Sequence, residues 1–264
     1  MKIGIIGLGN MADAILGGML RKEIVKKEEI IGSAATERTI VRMKEKYGFT
    51  TTLDNREVAR KAEILILAVK PQFLEAVIGQ IRDCIREDLL LITIAAGKSI
   101  RWYEEVFGRP IRLVRCMPNT PALTGEGCTA VCAGENVREE DMALVLRLMG
   151  SFGRTCILQE TKMDAFSAVA GSSPAFVFLF IEALADGGVA AGMTREQAVS
   201  AAAQAVLGSA KLLLETGHHP GVLKDMVCSP GGTTIQGVRT LEEKGMRGAV
   251  MDAVAACVER ARQL

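Results

Sequence analysis

Short runs of aliphatic and β-branched residues alternate with amphipathic stretches along the chain up to about Leu158. Near-continuous apolar runs predict strands buried on both faces, and their alternation with helix-period segments predicts a parallel sheet with helices on both sides. Strands are expected at 2–6, 30–33, 50–52, 64–69, 89–94, 111–116, 128–132 and 155–158. Helices are expected between them at 12–21, 37–47, 72–85 and 138–152. From about Lys162 strand signals stop. Ala, Leu, Met and Gly then dominate, and helices are expected at 163–169, 174–191, 196–215, 230–243 and 247–262. The pattern predicts an α/β domain at 1–160 followed by an all-α domain at 161–264.

The longest apolar run, Ala175 to Ile181, is closed by Glu182 and falls short of the roughly 20 residues a membrane helix needs. It reads as a buried helix. Small residues crowd the helical half, among them Ala201-Ala202-Ala203 and Gly187-Gly188, the pair marking either close approach at a dimer seam or a kink. This half carries more apolar positions than one chain can cover. A homodimer or higher homo-oligomer through these helices is expected.

Composition narrows the partners. Lys plus Arg (32) nearly balances Asp plus Glu (31), a net charge of +1, and aromatics are 4% with a single Trp102. Such a surface suits neither nucleic acid nor an anionic membrane, which leaves a small molecule. The seven cysteines are scattered and form no CxxC, so neither a disulfide framework nor a metal cluster is expected. They suit a reducing cytoplasm. The start, Met1 to Gly7, enters a strand and glycine loop at once, which reads as leaving no room for a cleaved signal.

Gly7-Leu8-Gly9-Asn10-Met11-Ala12 follows the first strand directly and opens a helix, the setting in which GxGxxA binds a dinucleotide. Gly7 makes the turn, Gly9 admits the pyrophosphate and Ala12 lets helix pack on strand. The α/β domain is therefore read as Rossmann-like. At the end of the second strand an NAD site usually places a carboxylate. Here Ser33 and Ala34 stand in that position, and the hydroxyls of Ser33 and Thr36 with Arg38 suit a 2′-phosphate. NADPH is preferred, with NADH as the alternative if Glu37 reaches the ribose. Ala68-Val69-Lys70-Pro71 and Ala95-Ala96-Gly97 end two further strands and should border the cofactor. Asn10, Met11 and Asn55 join the cofactor set. Asn119, in Met117-Pro118-Asn119-Thr120-Pro121, either hydrogen-bonds the nicotinamide amide or sits in a plain loop.

Near the C-terminus runs Ser229-Pro230-Gly231-Gly232-Thr233-Thr234, with Pro230 placed to open a helix and two glycines that let backbone amides approach a ligand. The N–H groups of a first helical turn suit a small carboxylate or phosphate. His218-His219-Pro220 reads as a loop, not as a metal or base site. Cys228 reads as packing.

Taken together, these motifs, with the segment Ala170 to Phe176 and the spacing from Pro220 through Glu242, resemble pyrroline-5-carboxylate reductase along the whole chain. The resemblance implies reduction of L-1-pyrroline-5-carboxylate to L-proline by NAD(P)H, the last step of proline synthesis. It also implies that Ser229, Gly231, Gly232 and Thr233 cradle the substrate carboxylate. Thr234 is then the catalytic residue, hydrogen-bonding the ring nitrogen. A threonine hydroxyl is too weak an acid to supply the proton unaided, so orientation is its first role. Glu160 is a candidate for steering the iminium charge. Two other readings compete: a β-hydroxyacid-dehydrogenase-like oxidoreductase, which shares the GLGNM start but should show a helical lysine after its glycine-rich segment, and a non-catalytic NADPH-binding sensor, which has no need of SPGGTT.

Overall fold

The computed structural model describes residues 2–263. Eight strands are present: β1 (Ile3–Ile6), β2 (Ile30–Ser33), β3 (Thr50–Thr52), β4 (Ile64–Leu67), β5 (Leu90–Thr93), β6 (Arg112–Met117), β7 (Gly127–Ala133) and β8 (Gly153–Ile157). They form one sheet in the order β3-β2-β1-β4-β5-β6-β7-β8. All residues of β1, β2, β4 and β5 are buried, as expected of strands covered on both faces. Side chains alternate between two cores. Ile3 and Ile5 pack with Ile15, Leu16 and Met19 of α1 (Asn10–Arg21) on one face. Leu65 and Leu67 pack with Leu74, Ile78 and Ile81 of α4 (Leu74–Ile81) on the other. Each such side chain, fully buried, contributes about 1.5–3 kcal/mol.

One expectation about the sheet is corrected. β7 runs antiparallel to β6, with Cys116 opposite Val131, while every other neighbouring pair is parallel. The reason is length: residues 118–126 contain only the short helical turn Thr120–Thr124, whereas a parallel return needs a crossover of about a dozen residues or more. α6 (Glu139–Met149) supplies such a crossover before β8, which is parallel again.

Three short helices lie outside the sequence expectations: α3 (Asn55–Lys61), α5 (Ile100–Phe107) and α10 (Pro220–Val227). Each has a capping residue. Arg56 N donates to Asp54 Oδ1 at 2.9 Å, Trp102 N to Ser99 Oγ at 3.1 Å, and Gly221 N to His219 Nδ1 at 3.1 Å. The histidine pair is thus partly a helix cap. α2 (Glu37–Tyr47) matches its expected span.

By contacts the chain divides into two units, one formed by Ser173–Ala256 and the other by the described residues on either side. The first turns after Glu160, including α7 (Met163–Phe166), belong with the sheet, where Met163 is buried against Ala130 and Cys132. A π-helical segment, Ser167–Ser172, follows.

In the other unit, α8 (Ser173–Ala190) and α9 (Arg195–Thr216) pack as a hairpin turning at Gly192. Gly188 lies against Ala198, where an added Cβ would come to 3.1 Å of the Ala198 Cβ, so the close approach is within the chain. α11 (Thr233–Glu243) and α12 (Met246–Ala261), whose residues from Cys257 on count with the sheet unit, complete the helices of this one. Only Ala185, Ala198 and Ala202 are buried among its described residues. The segment read as a buried helix is corrected accordingly: Phe178 and Leu179 are 65% and 67% exposed. Among the described residues one helical run, Glu160–Ala190, is long and apolar enough to cross a membrane.

One ion pair ties β6 to α6. Arg112 Nε donates to Asp141 Oδ2 at 3.1 Å, the backbone N of Arg138 donates to the same oxygen at 3.0 Å, and the Asp141 side chain is 6% exposed. Burial alone would raise the carboxyl pKa. The Arg112 guanidinium and the Arg138 donors outweigh it and hold the group down from 3.8 to about 2. Because the folded pKa lies below the unfolded one, the stabilisation is present above about pH 4 and lost as pH falls toward about 2, and it is on the order of 2 kcal/mol. Asp141→Asn should therefore lower unfolding stability by about 2 kcal/mol near neutral pH, with the difference from wild type closing in acid. Urea titrations across that range check it, and a constant difference at every pH contradicts it.

Candidate active site

The strand order reverses between β1 and β4, the place where open α/β sheets bind ligands beyond their strand ends. The loop after β1 is built for close backbone approach. Gly7 has φ +95°, its N donates to Ser33 O at 2.9 Å, and an added Cβ would lie 2.6 Å from Ala68 O. Only glycine fits there. Gly9 caps α1 without a side chain, and a Cβ built on it meets no heavy atom within 4 Å. The first-turn N–H groups of α1, where Asn10 and Met11 stand, therefore face space that the protein itself does not fill.

A cavity of about 530 Å³ opens at this point. Gly7 and Gly9 line it on one side, Ala34, Thr36 and Arg38 on another, and Val69 and Lys70 on a third. Ala68 lies beneath, its N donating to Ile6 O, and Pro71 opens the short helical turn Pro71–Phe73. Arg42, Thr39 and Phe73 also line the cavity and were not read from the sequence. Arg42 Nη2 donates to Leu8 O at 3.1 Å, which holds a guanidinium against the glycine loop. Two arginines, two threonines and a lysine around a glycine cradle fit a phosphate-rich dinucleotide, and Glu37 is not among the lining residues.

Two expected cofactor residues stand behind this surface. Ser33 is fully buried and its Oγ donates to Asn55 Oδ1 at 2.7 Å, so its hydroxyl is not presented to a ligand. Asn55 Nδ2 donates in turn to Gln80 Oε1 at 2.7 Å, and Asn55 lines neither this cavity nor the next. The hydroxyls at this edge are those of Thr36 and Thr39, 3.0 Å apart, with Thr36 capping α2.

A second cavity, of about 200 Å³, lies within the same unit and is lined by Ala96, Gly97 and Met117 with Arg115. Ala95 is buried, its N bonded to Thr93 Oγ1. Asn119 is a strut: its Nδ2 donates to Ala170 O at 2.8 Å and its Oδ1 accepts from Cys128 N at 2.8 Å. It ties the loop after β6 to the π-helical segment, so the amide-binding expectation is replaced by a structural one. Glu160 likewise is no free charge, since its Oε1 accepts from Arg115 Nη1 at 3.0 Å and from Ile100 N at 2.7 Å. Burial pushes the nearby Tyr103 hydroxyl up to about 12, against the lowering effects of Thr93 and Arg115, so it stays protonated.

In the helical unit, Ser229–Gly232 is a reverse turn with Gly232 N donating to Ser229 O at 3.1 Å. Pro230 precedes Gly231 at φ +69°, the arrangement of a type II turn. A Cβ at Gly232 would collide with Ser229 Oγ. α11 starts at Thr233, three residues later than Pro230 was expected to open it, because the proline serves the turn. Gly232 supplies no side-chain cap, so the first-turn N–H groups of Thr233 and Thr234 are left for another acceptor. The arrangement can receive a small anion beside a threonine hydroxyl.

A doubly wound sheet with a glycine cradle after β1, joined to a helical unit whose α11 starts uncapped after a glycine turn, fits one class: a dinucleotide-dependent oxidoreductase with a helical assembly domain. Residues 160–264 match the family described as pyrroline-5-carboxylate reductase dimerisation, and residues 2–97 match NADP oxidoreductase, coenzyme F420-dependent. The chain is 44% identical over 263 residues to pyrroline-5-carboxylate reductase of Escherichia coli, covering 100% of this chain and 98% of that one, and 40% identical to that of Arabidopsis thaliana, covering 100% and 95%. The reductase structure from Coxiella burnetii is similar with TM-score 0.93 and 34% identity, covering 99% and 97%. That of Plasmodium falciparum, described with NADP bound, has TM-score 0.89 and 34% identity over 100% and 97%. The chain belongs to the pyrroline-5-carboxylate reductase family.

Proposed function

We infer that the chain reduces L-1-pyrroline-5-carboxylate to L-proline with NADPH. The observation that carries this reading is the uncapped N-terminus of α11 behind its glycine turn, in a chain that also holds the cradle after β1. The open space at Gly9 and the cationic edge of Arg38 and Arg42 fit NADPH, which supplies the hydride when bound. Arg38, Thr36, Thr39 and Arg42 hold the 2′-phosphate end. Lys70 binds phosphate or ribose. Ala96 and Gly97 bound the space of the reactive ring.

On the substrate side the amides from Gly231 to Thr234 and the Ser229 hydroxyl take the carboxylate. The Thr234 hydroxyl orients the ring nitrogen, and water supplies the proton there. The partner is a second copy of the chain. The exposed Phe178, Leu179, Met226 and Met251 give the helical unit an apolar surface that a homodimer covers, within the homo-oligomeric character its dimerisation family implies. The seven free thiols suit the reducing cytoplasm.

Mixing the purified protein with NADPH and pyrroline-5-carboxylate should consume the absorbance of the reduced nicotinamide. Cofactor binding without consumption would favour the sensor reading, and turnover of a 3-oxo acid in place of the imine would favour the dehydrogenase.

A further inference from the structure

The carboxylate of Glu160 has two partners that matter to the reacting end of the cofactor. Ile100, which donates to it at 2.7 Å, is the first residue of α5 and closes the turn that starts at Ala95 and includes Gly97, itself at φ +76°. Arg115, which donates to the same oxygen at 3.0 Å, is 6% exposed and lines the cavity of Ala96 and Gly97. Besides the Cys257 thiol, the other ionisable side chains lining that cavity are Asp164 and Arg260, which are of opposite charge.

Reduction of the imine breaks the C4–H bond of the dihydronicotinamide, forms a C–H bond at the imine carbon and places a proton from water on the nitrogen. Giving up the hydride would leave the bound cofactor with one more positive charge, on its nicotinamide ring. An unpaired Arg115 guanidinium in the cavity of Ala96 and Gly97 would oppose that charge, and in a partly buried setting the opposition is weakly screened.

We propose that Glu160 is a positioning residue that pins the Ala95–Ser99 turn through Ile100 and cancels the charge of Arg115 in the cavity of Ala96 and Gly97, which would receive the nicotinamide. The proposal rests on the cofactor reading above. Glu160→Gln retains an oxygen for Ile100 but leaves Arg115 unpaired, and Arg115→Met leaves Glu160 unpaired. The double variant removes both charges.

The measurement is fluorescence and calorimetric titration of each protein with NADPH, with NADP⁺ and with adenosine 2′,5′-bisphosphate, which lacks the nicotinamide. Glu160→Gln should weaken NADP⁺ relative to NADPH by about tenfold, Arg115→Met should shift the ratio the other way, and the double variant should restore it, with the bisphosphate unaffected throughout. An unchanged ratio in the single variants, or a uniform loss for all three ligands, overturns the proposal in favour of a purely structural pair. Should Glu160→Gln not fold, the opposite shift in Arg115→Met and its return in the double variant decide the question. Failure of the wild-type protein to bind NADPH at all would overturn the cofactor reading instead.

Discussion

Thr234→Ala is expected to lower kcat about 100- to 1000-fold while leaving the NADPH dissociation constant within about twofold, the scale of losing one donor aimed at a reacting atom. The fold should tolerate the change. Thr234 lies in the first turn of α11, where the cap is Gly232, and alanine is the better helix former. Steady-state kinetics with titration of the cofactor separates the two effects. Thr234→Ser should recover part of the rate because it keeps the hydroxyl. Equal loss of turnover and cofactor affinity would place the residue away from the imine.

Gly9→Val is expected to act in the opposite sense, weakening NADPH binding at least about 100-fold with little loss of folding stability. The built Cβ at Gly9 meets nothing within 4 Å, so the protein has room for a side chain that the pyrophosphate does not. Loss of the glycine cap costs only about 0.5–1 kcal/mol. Gly7 makes the contrast: at φ +95° and 2.6 Å from Ala68 O, any side chain there disturbs β1 and β4 themselves. Thermal unfolding alongside cofactor titration distinguishes a blocked site from a broken fold, and undiminished binding by the Gly9 variant would remove the dinucleotide from this loop.

The central strands β1, β2, β4 and β5 were legible because each is a short, largely aliphatic run buried on both faces, a pattern that needs no partner to be recognised. The direction of β7 was not, since it turns back for want of residues in the 118–126 connection. α3, α5 and α10 were missed because eight residues or fewer hold barely two turns of periodicity; their signal lay in the caps Asp54, Ser99 and His219. The site's backbone parts, the glycines at 7, 9, 231 and 232, could be read because geometry restricts the residue type. Side chains were harder. Ser33, Asn119 and Glu160 carry the right chemistry at the right strand ends, but three-dimensional partners had already claimed them. Arg42 was overlooked because its reach to Leu8 spans a helix and a loop, a distance that local pattern cannot reveal.

The scarcity of buried side chains in Ser173–Ala256 bears on how the enzyme survives dilution. Helices that bury only three alanines within the chain offset little of their own chain entropy, and the second copy proposed above would supply the missing burial. The melting temperature should then climb with protein concentration, and a subunit released at low concentration would lose the turn at 229–232 together with its helices. Catalytic competence would then be a collective property, set by mass action before any substrate arrives.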